Sequence, residues 1–289
     1  MFYIFKAFVW LISFLPLQIL YLFSDLLYPL IYHLVRYRRK VVRENLINSF
    51  PERDLKEIIK IEKKFYLYFC DLFIETIYLT HMSDKEARKR MKFEGVELVQ
   101  KQFEAGKSVM LMSAHYCNWE WTAALSLHLP FESPAFGIYK RLSNKSFDQF
   151  MIKLRESYNS KTIEKLDLYR TLLRMRNSGK FGAFGMISDQ TPKAASTRHW
   201  TKFLNQDTAV MVGTEELARR FDYPVIFANI TRVKRGYYCC KMELIEENPK
   251  KATEYEITDR FSQILETKIN EHPEFWLWTH KRWKQKKAE

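Results

Sequence analysis

The sequence predicts an α/β fold, a sheet covered by helices, and two patterns carry that expectation. Apolar runs at 109–112, 181–187 and 223–230 have the length of buried strands and are bounded by glycine or proline turns. Helical periodicity fills much of the chain between them, which is the alternation of an α/β domain. Polar residues suited to chemistry, His115 and Asp189, follow directly on two of these runs, where an open α/β sheet carries its sites. Hydrophobic residues make up 47% of the chain, and 8 Gly with 9 Pro leave little room for low-complexity stretches.

From the N-terminus, residues 2–35 are strongly apolar and aromatic but interrupted by Pro16, Gln18, Asp25 and Pro29. That is not a clean run of the ~20 apolar residues that a bilayer crossing needs. A kinked membrane helix, a helix in the membrane interface and a core helix compete. Arg36, Arg38, Arg39, Lys40 and Arg43 follow at once, a cluster that attracts anionic headgroups on the cytoplasmic side. We expect residues 1–45 to be a hydrophobic membrane anchor with a basic juxtamembrane segment, and 46–289 to be the main domain.

Periodicity predicts a long helix over 54–79, with Glu75 in its apolar half as a satisfied structural carboxylate. A short helix at 96–103 ends at Gly106 and gives way to the 109–112 strand. A helix is expected from 121 to 127, a strand at 135–139 and a basic amphipathic helix at 164–177. The chain then continues with the 181–187 strand, a helix at 212–219, and strands at 223–230 and 237–245 facing each other across a turn at 234–236.

The net charge of +13 calls for an acidic partner, and with no nucleic-acid motif present a membrane surface is the better reading. Cys70, Cys117, Cys239 and Cys240 have neither C-x-x-C nor zinc spacing, so reduced thiols are the default, and no metal or cofactor is expected.

His115 and Glu120 form the sharpest local pattern. Five residues along a regular helix turn through about 500°, so these two side chains meet only if the segment is a turn. A histidine beside a carboxylate is the minimal general base. The blander reading is a surface histidine and a helix-start glutamate favoured by the dipole.

The stretch from Ala114 to Glu120 resembles the His-x4-Asp/Glu motif of the glycerolipid acyltransferase superfamily. Other stretches resemble its lipid A branch, the late lauroyl/myristoyl acyltransferases of Gram-negative bacteria. They are 38–46 with 50–52, the Tyr139-Lys140-Arg141 block ending at Asn144, Arg155, Asp189-Gln190, and 272–284. At 198–204 the likeness to a Phe-Phe-Gly turn breaks off, because Leu204-Asn205 replaces its end. The resemblance implies a mixed sheet flanked by helices. It further implies transfer of a fatty acyl group from acyl carrier protein to a hydroxyl of an anionic glycolipid, a lipid A precursor, at the cytoplasmic face of the inner membrane. In that picture His115 is the base, Glu120 orients it, Arg141 and Arg155 hold phosphate or carboxylate, and Asp189 completes the polar shell.

Three alternatives stand beside this reading. The acceptor could be a phospholipid, aminolipid or mannoside. Cys117 could carry the acyl group as a thioester. The chain could also be a non-catalytic, basic membrane-surface protein. The tryptophans of 276–283, mixed with Lys and Arg, suit a membrane interface as well as a family motif.

Overall fold

The computed structural model describes residues 9–287. Part of the predicted anchor, residues 1–8, lies outside them. Among the described residues, helices α1 (Leu17–Pro29), α2 (Arg39–Ser49) and α3 (Leu55–Tyr78) come first, α1 running on into a π-helical turn at Leu30–Val35. Leu17, Leu20, Tyr32, Val42 and Leu46 of this region are buried in the same apolar core as the sheet. Asp54 caps α3 by accepting from the Glu57 amide at 2.8 Å, which fixes where the predicted helix starts.

Seven strands form the main sheet: β1 (Met91–Glu94), β2 (Val109–Ser113), β3 (Ala135–Tyr139), β4 (Lys161–Glu164), β5 (Ala183–Ile187), β8 (Val225–Lys234) and β9 (Tyr237–Glu246). Their spatial order is β1-β9-β8-β2-β5-β3-β4. All neighbours are parallel except β8 and β9, so the sheet is mixed. β2 lies at its middle, buried at every residue, which is why it reads as an unbroken apolar run rather than an alternation. The remaining strands, β6 (His199–Phe203) and β7 (Gln206–Val210), pair as a separate antiparallel hairpin.

Later helices are α4 (Asp84–Arg90), α5 (Glu97–Glu104), α6 (Lys145–Arg155), α7 (Leu168–Asn177), α8 (Gly213–Phe221) and α9 (Glu256–Glu271), with a ten-residue 3-10 helix at Trp119–His128. Three expectations shift. The helix expected from 164 begins only at Leu168, and the residues before it are β4, an edge strand pairing with β3 alone. Four residues are too few for an alternation to show, and the same holds for β1 at the opposite edge. The helix expected at 121–127 is the 3-10 helix. The break in the family likeness at Leu204-Asn205 is a two-residue hairpin turn with φ of 49° and 61°. Asparagine tolerates that left-handed backbone, and Leu204 is held there by burial and by its amide donating to Glu266 at 2.8 Å.

Candidate active site

β2 and β5 are parallel neighbours with Ser113 level with Ile187. Two residues further on each strand stand His115 and Asp189, so the register alone brings them together at the carboxyl ends of central strands. His115 Nδ1 lies 2.8 Å from Asp189 Oδ1, and the His115 backbone amide donates to Asp189 Oδ2 at 3.0 Å. Trp276 Nε1 donates to the same Oδ2 at 2.8 Å. Burial pushes the Asp189 carboxyl up, but the His115 charge and these N–H donors outweigh it and hold the group below the ordinary range. An ionised Asp189 accepting at Nδ1 makes that nitrogen the protonated one. The other ring nitrogen, Nε2, then carries the lone pair, and the Gln190 side-chain amide stands 3.4 Å from it.

The expected partner, Glu120, is not the group on His115. Its carboxylate takes a two-pronged pair from Arg155, at 2.8 and 2.6 Å, and a third bond from Trp119 Nε1 at 3.1 Å. Local geometry is the reason. Cys117 adopts φ 51°, and Asn118 then caps the 3-10 helix through the Trp121 amide, so Glu120 in its first turn faces the end of α6. The Trp119 ring meets the His115 ring edge-on at 4.9 Å, so an indole stands between Glu120 and the histidine.

Two of the other expected substrate-binding residues, Arg155 and Asp189, are tied to protein partners, whereas Arg141 stays exposed. Arg155 is committed to Glu120, and that pairing raises its guanidinium's affinity for its proton despite burial, which works the other way. Asp189 is a buried acceptor for His115 and Trp276, not a group open to substrate. Arg141 stands at the exposed end of β3 and pairs with Glu164 at 2.6 Å. Cys117 is wholly buried, and burial pushes its thiol well above the usual range, which works against a nucleophilic thiolate there.

Several residues of the site escape sequence reasoning. The segment around 275–277 pairs with the His115 turn like a short antiparallel strand: the Cys117 amide donates to Phe275 O and the Leu277 amide to His115 O, each at 3.0 Å. Trp276 and Trp278 are accordingly buried rather than at a membrane interface. Asn45 Nδ2 reaches the carbonyls of Trp278 and His280, and Arg38 that of Thr279. The basic segment near residue 40 and the aromatic end of the chain are thus one structural unit. His280 Nε2 faces the Thr191 amide at 3.3 Å, and burial lowers its pKa to about 4, which makes it a neutral acceptor.

Beside the site, Phe65, Phe69, Leu72, Trp119, Phe275 and Leu277 form a closely packed apolar surface with no cavity large enough for a water molecule. A recess between Lys202, Gln206 and Lys286 lies at the β6–β7 hairpin and contains none of the His115 cluster. Among the described residues no three His, Cys, Asp or Glu side chains gather to hold a metal ion.

Comparison with known proteins bears on the chain as a whole. A lipid A biosynthesis palmitoleoyltransferase of Escherichia coli (strain K12) is 22% identical over 280 residues, covering 93% of this chain and 89% of that protein. A lipid A biosynthesis lauroyltransferase of the same organism is 22% identical over 277 residues, covering 96% and 89%. A lipid A biosynthesis acyltransferase of Shigella flexneri is likewise 22% identical over 280 residues. Residues 1–285 match the family described as bacterial lipid A biosynthesis acyltransferase. The chain belongs to that family and is an acyltransferase.

Proposed function

We propose that the protein transfers a fatty acyl chain from acyl carrier protein to a hydroxyl of a lipid A precursor, at the cytoplasmic face of the inner membrane. The observation that carries this is the His115 ring, protonated at Nδ1 against Asp189 and presenting the Nε2 lone pair. The acceptor O–H gives its proton to Nε2 as its oxygen attacks the thioester carbonyl. The tetrahedral intermediate collapses by breaking the C–S bond, and the imidazolium returns the proton to the departing thiolate. Asp189 fixes the tautomer and offsets the imidazolium charge. Gln190 is a donor close to the reacting atoms, and the Glu120–Arg155 pair holds Trp119 against the His115 ring. Arg141, exposed at a strand end, suits a phosphate of the acceptor in exchange for Glu164. The net charge of +13 favours encounter with an acidic carrier protein and with anionic lipid.

The test is lipid analysis of a strain lacking the gene. Its lipid A is expected to be one acyl chain short, with recovery on complementation by wild type but not by His115→Ala. Unchanged lipid A with an acyl chain missing from a phospholipid, aminolipid or mannoside would move the assignment to that acceptor.

A further inference from the structure

Helix α1 and its π-helical continuation form a run of 19 residues, Leu17–Val35, with mean hydropathy 1.2. At 1.5 Å per residue that is about 28 Å, enough to reach across a hydrocarbon core, so length alone does not decide how it meets a membrane. Its two sides differ. Leu22, Leu26, Leu30 and Leu34 recur every fourth residue and are exposed, Leu26 at 71% and Leu34 at 76%. On the other side Leu17, Leu20, Tyr21 and Ser24 are buried against the domain.

The buried side is polar at its centre. Tyr21 donates to Glu75 at 2.6 Å, and Ser24 donates to Asp71 at 2.8 Å. Asp25 pairs with Arg235 at 2.6 Å, and Arg235 and Arg232 both bind Asp71. Gly236, at the turn of the β8–β9 hairpin, lies so close that an added Cβ would stand 2.6 Å from the Tyr21 hydroxyl. The midpoint of α1 is therefore fastened to Asp71, Glu75 and Arg235 of the catalytic domain, with Arg232 bracing Asp71 from behind.

We infer that α1 lies in the plane of one anionic lipid leaflet, with its leucine face immersed and its polar side seated on the domain, and does not cross the bilayer. A crossing helix would carry Asp71, Glu75, Arg232 and Arg235 to the centre of the hydrocarbon. The alternative is to tear them from Tyr21, Ser24 and Asp25 and leave buried charges without their partners. In-plane seating keeps every one of these bonds and buries only the apolar face. The basic residues fit the same geometry. Arg36 follows the helix directly, is exposed and has no carboxylate within 4 Å among the described residues, which leaves it for a lipid phosphate, while Arg38 beside it adds positive charge from its place on the Thr279 carbonyl.

The inference rests on the membrane association proposed above and not on acyl transfer, which the following experiment does not read. The full-length protein, with the half-buried Cys239 replaced by serine, receives one new cysteine at a time: Gln18→Cys, Leu26→Cys or Arg36→Cys. It is added to preformed vesicles of phosphatidylethanolamine with about one third phosphatidylglycerol and probed from outside with a membrane-impermeant maleimide. Both end positions are expected to label in the bound protein, while Leu26→Cys reacts about tenfold slower bound than free. Protection of Gln18→Cys until the vesicles are opened, with Arg36→Cys still reactive, would show a crossing helix and overturn the inference. So would an unprotected Leu26→Cys in the bound protein. Concentration-dependent protection of Leu26→Cys without vesicles would assign the face to a second copy of the chain instead.

Discussion

Replacing Asp189 by asparagine exchanges a carboxylate oxygen for an NH2 group at a point where three N–H donors converge: the His115 amide, the His115 ring and Trp276 Nε1. Asparagine has one oxygen to offer, so at least one of these donors loses its acceptor in a buried site. If the new NH2 faces the ring, it donates to Nδ1 and moves the ring proton to Nε2, which then has no lone pair to act as base. A wrong tautomer of this kind costs up to ~10⁴ in rate in the serine-protease triad. We expect a fall of about 10³ in kcat, roughly 4 kcal/mol of barrier, with KM within about threefold. Each orphaned donor adds about 1–3 kcal/mol of destabilisation, so a lower Tm is expected alongside. The assay is transfer of a labelled acyl chain from acyl carrier protein to purified acceptor in detergent, for Asp189→Asn, His115→Ala and the double variant. Because both residues serve one step, the double variant is expected to be no slower than His115→Ala. A further loss near 10³ in the double variant, or kcat above about a tenth of wild type in Asp189→Asn, would refute the assignment.

Two other expectations follow from the same geometry. Cys117→Ala is expected to keep kcat within about threefold, and wild type is expected to yield no trapped acyl-enzyme, since the thiol is buried and burial pushes its pKa well up; abolished transfer in a folded variant would restore the thioester route. Asp189 also shapes acid stability. Its folded pKa lies below the ordinary carboxyl value of about 3.9, so its stabilisation is complete above that value and is lost as pH falls through the lower folded one. Denaturant unfolding between about pH 5 and pH 3 is expected to be steeper in wild type than in Asp189→Asn, and parallel curves would contradict this.

What could be read from the sequence alone was local. Strands β2, β3, β5 and β8 announced themselves as apolar runs between turn residues, β9 by its alternation, and α3 because 24 residues hold one period. His115 and Asp189 stood out as polar residues just past strand ends. The edge strands β1 and β4 gave no such signal, being four residues each. Which carboxylate serves His115 was beyond local reading. Glu120 is five residues away and Asp189 is seventy-four, yet parallel register levels Asp189 with His115 while the cap at Asn118 turns Glu120 to Arg155. The same holds for Trp276, whose role depends on the C-terminal segment pairing with the His115 turn, and for Arg38 and Asn45, which hold that segment in place. The side of α1 that faces the domain was equally hidden: apolar length is a property of the stretch itself, whereas the seat for Tyr21, Ser24 and Asp25 is built by α3 and the β8–β9 hairpin. Periodicity and turn chemistry act over a few residues and can be read in order. Hydrogen-bond partners are chosen by whichever groups the packed sheet brings within about 3 Å, and only the tertiary structure decides that.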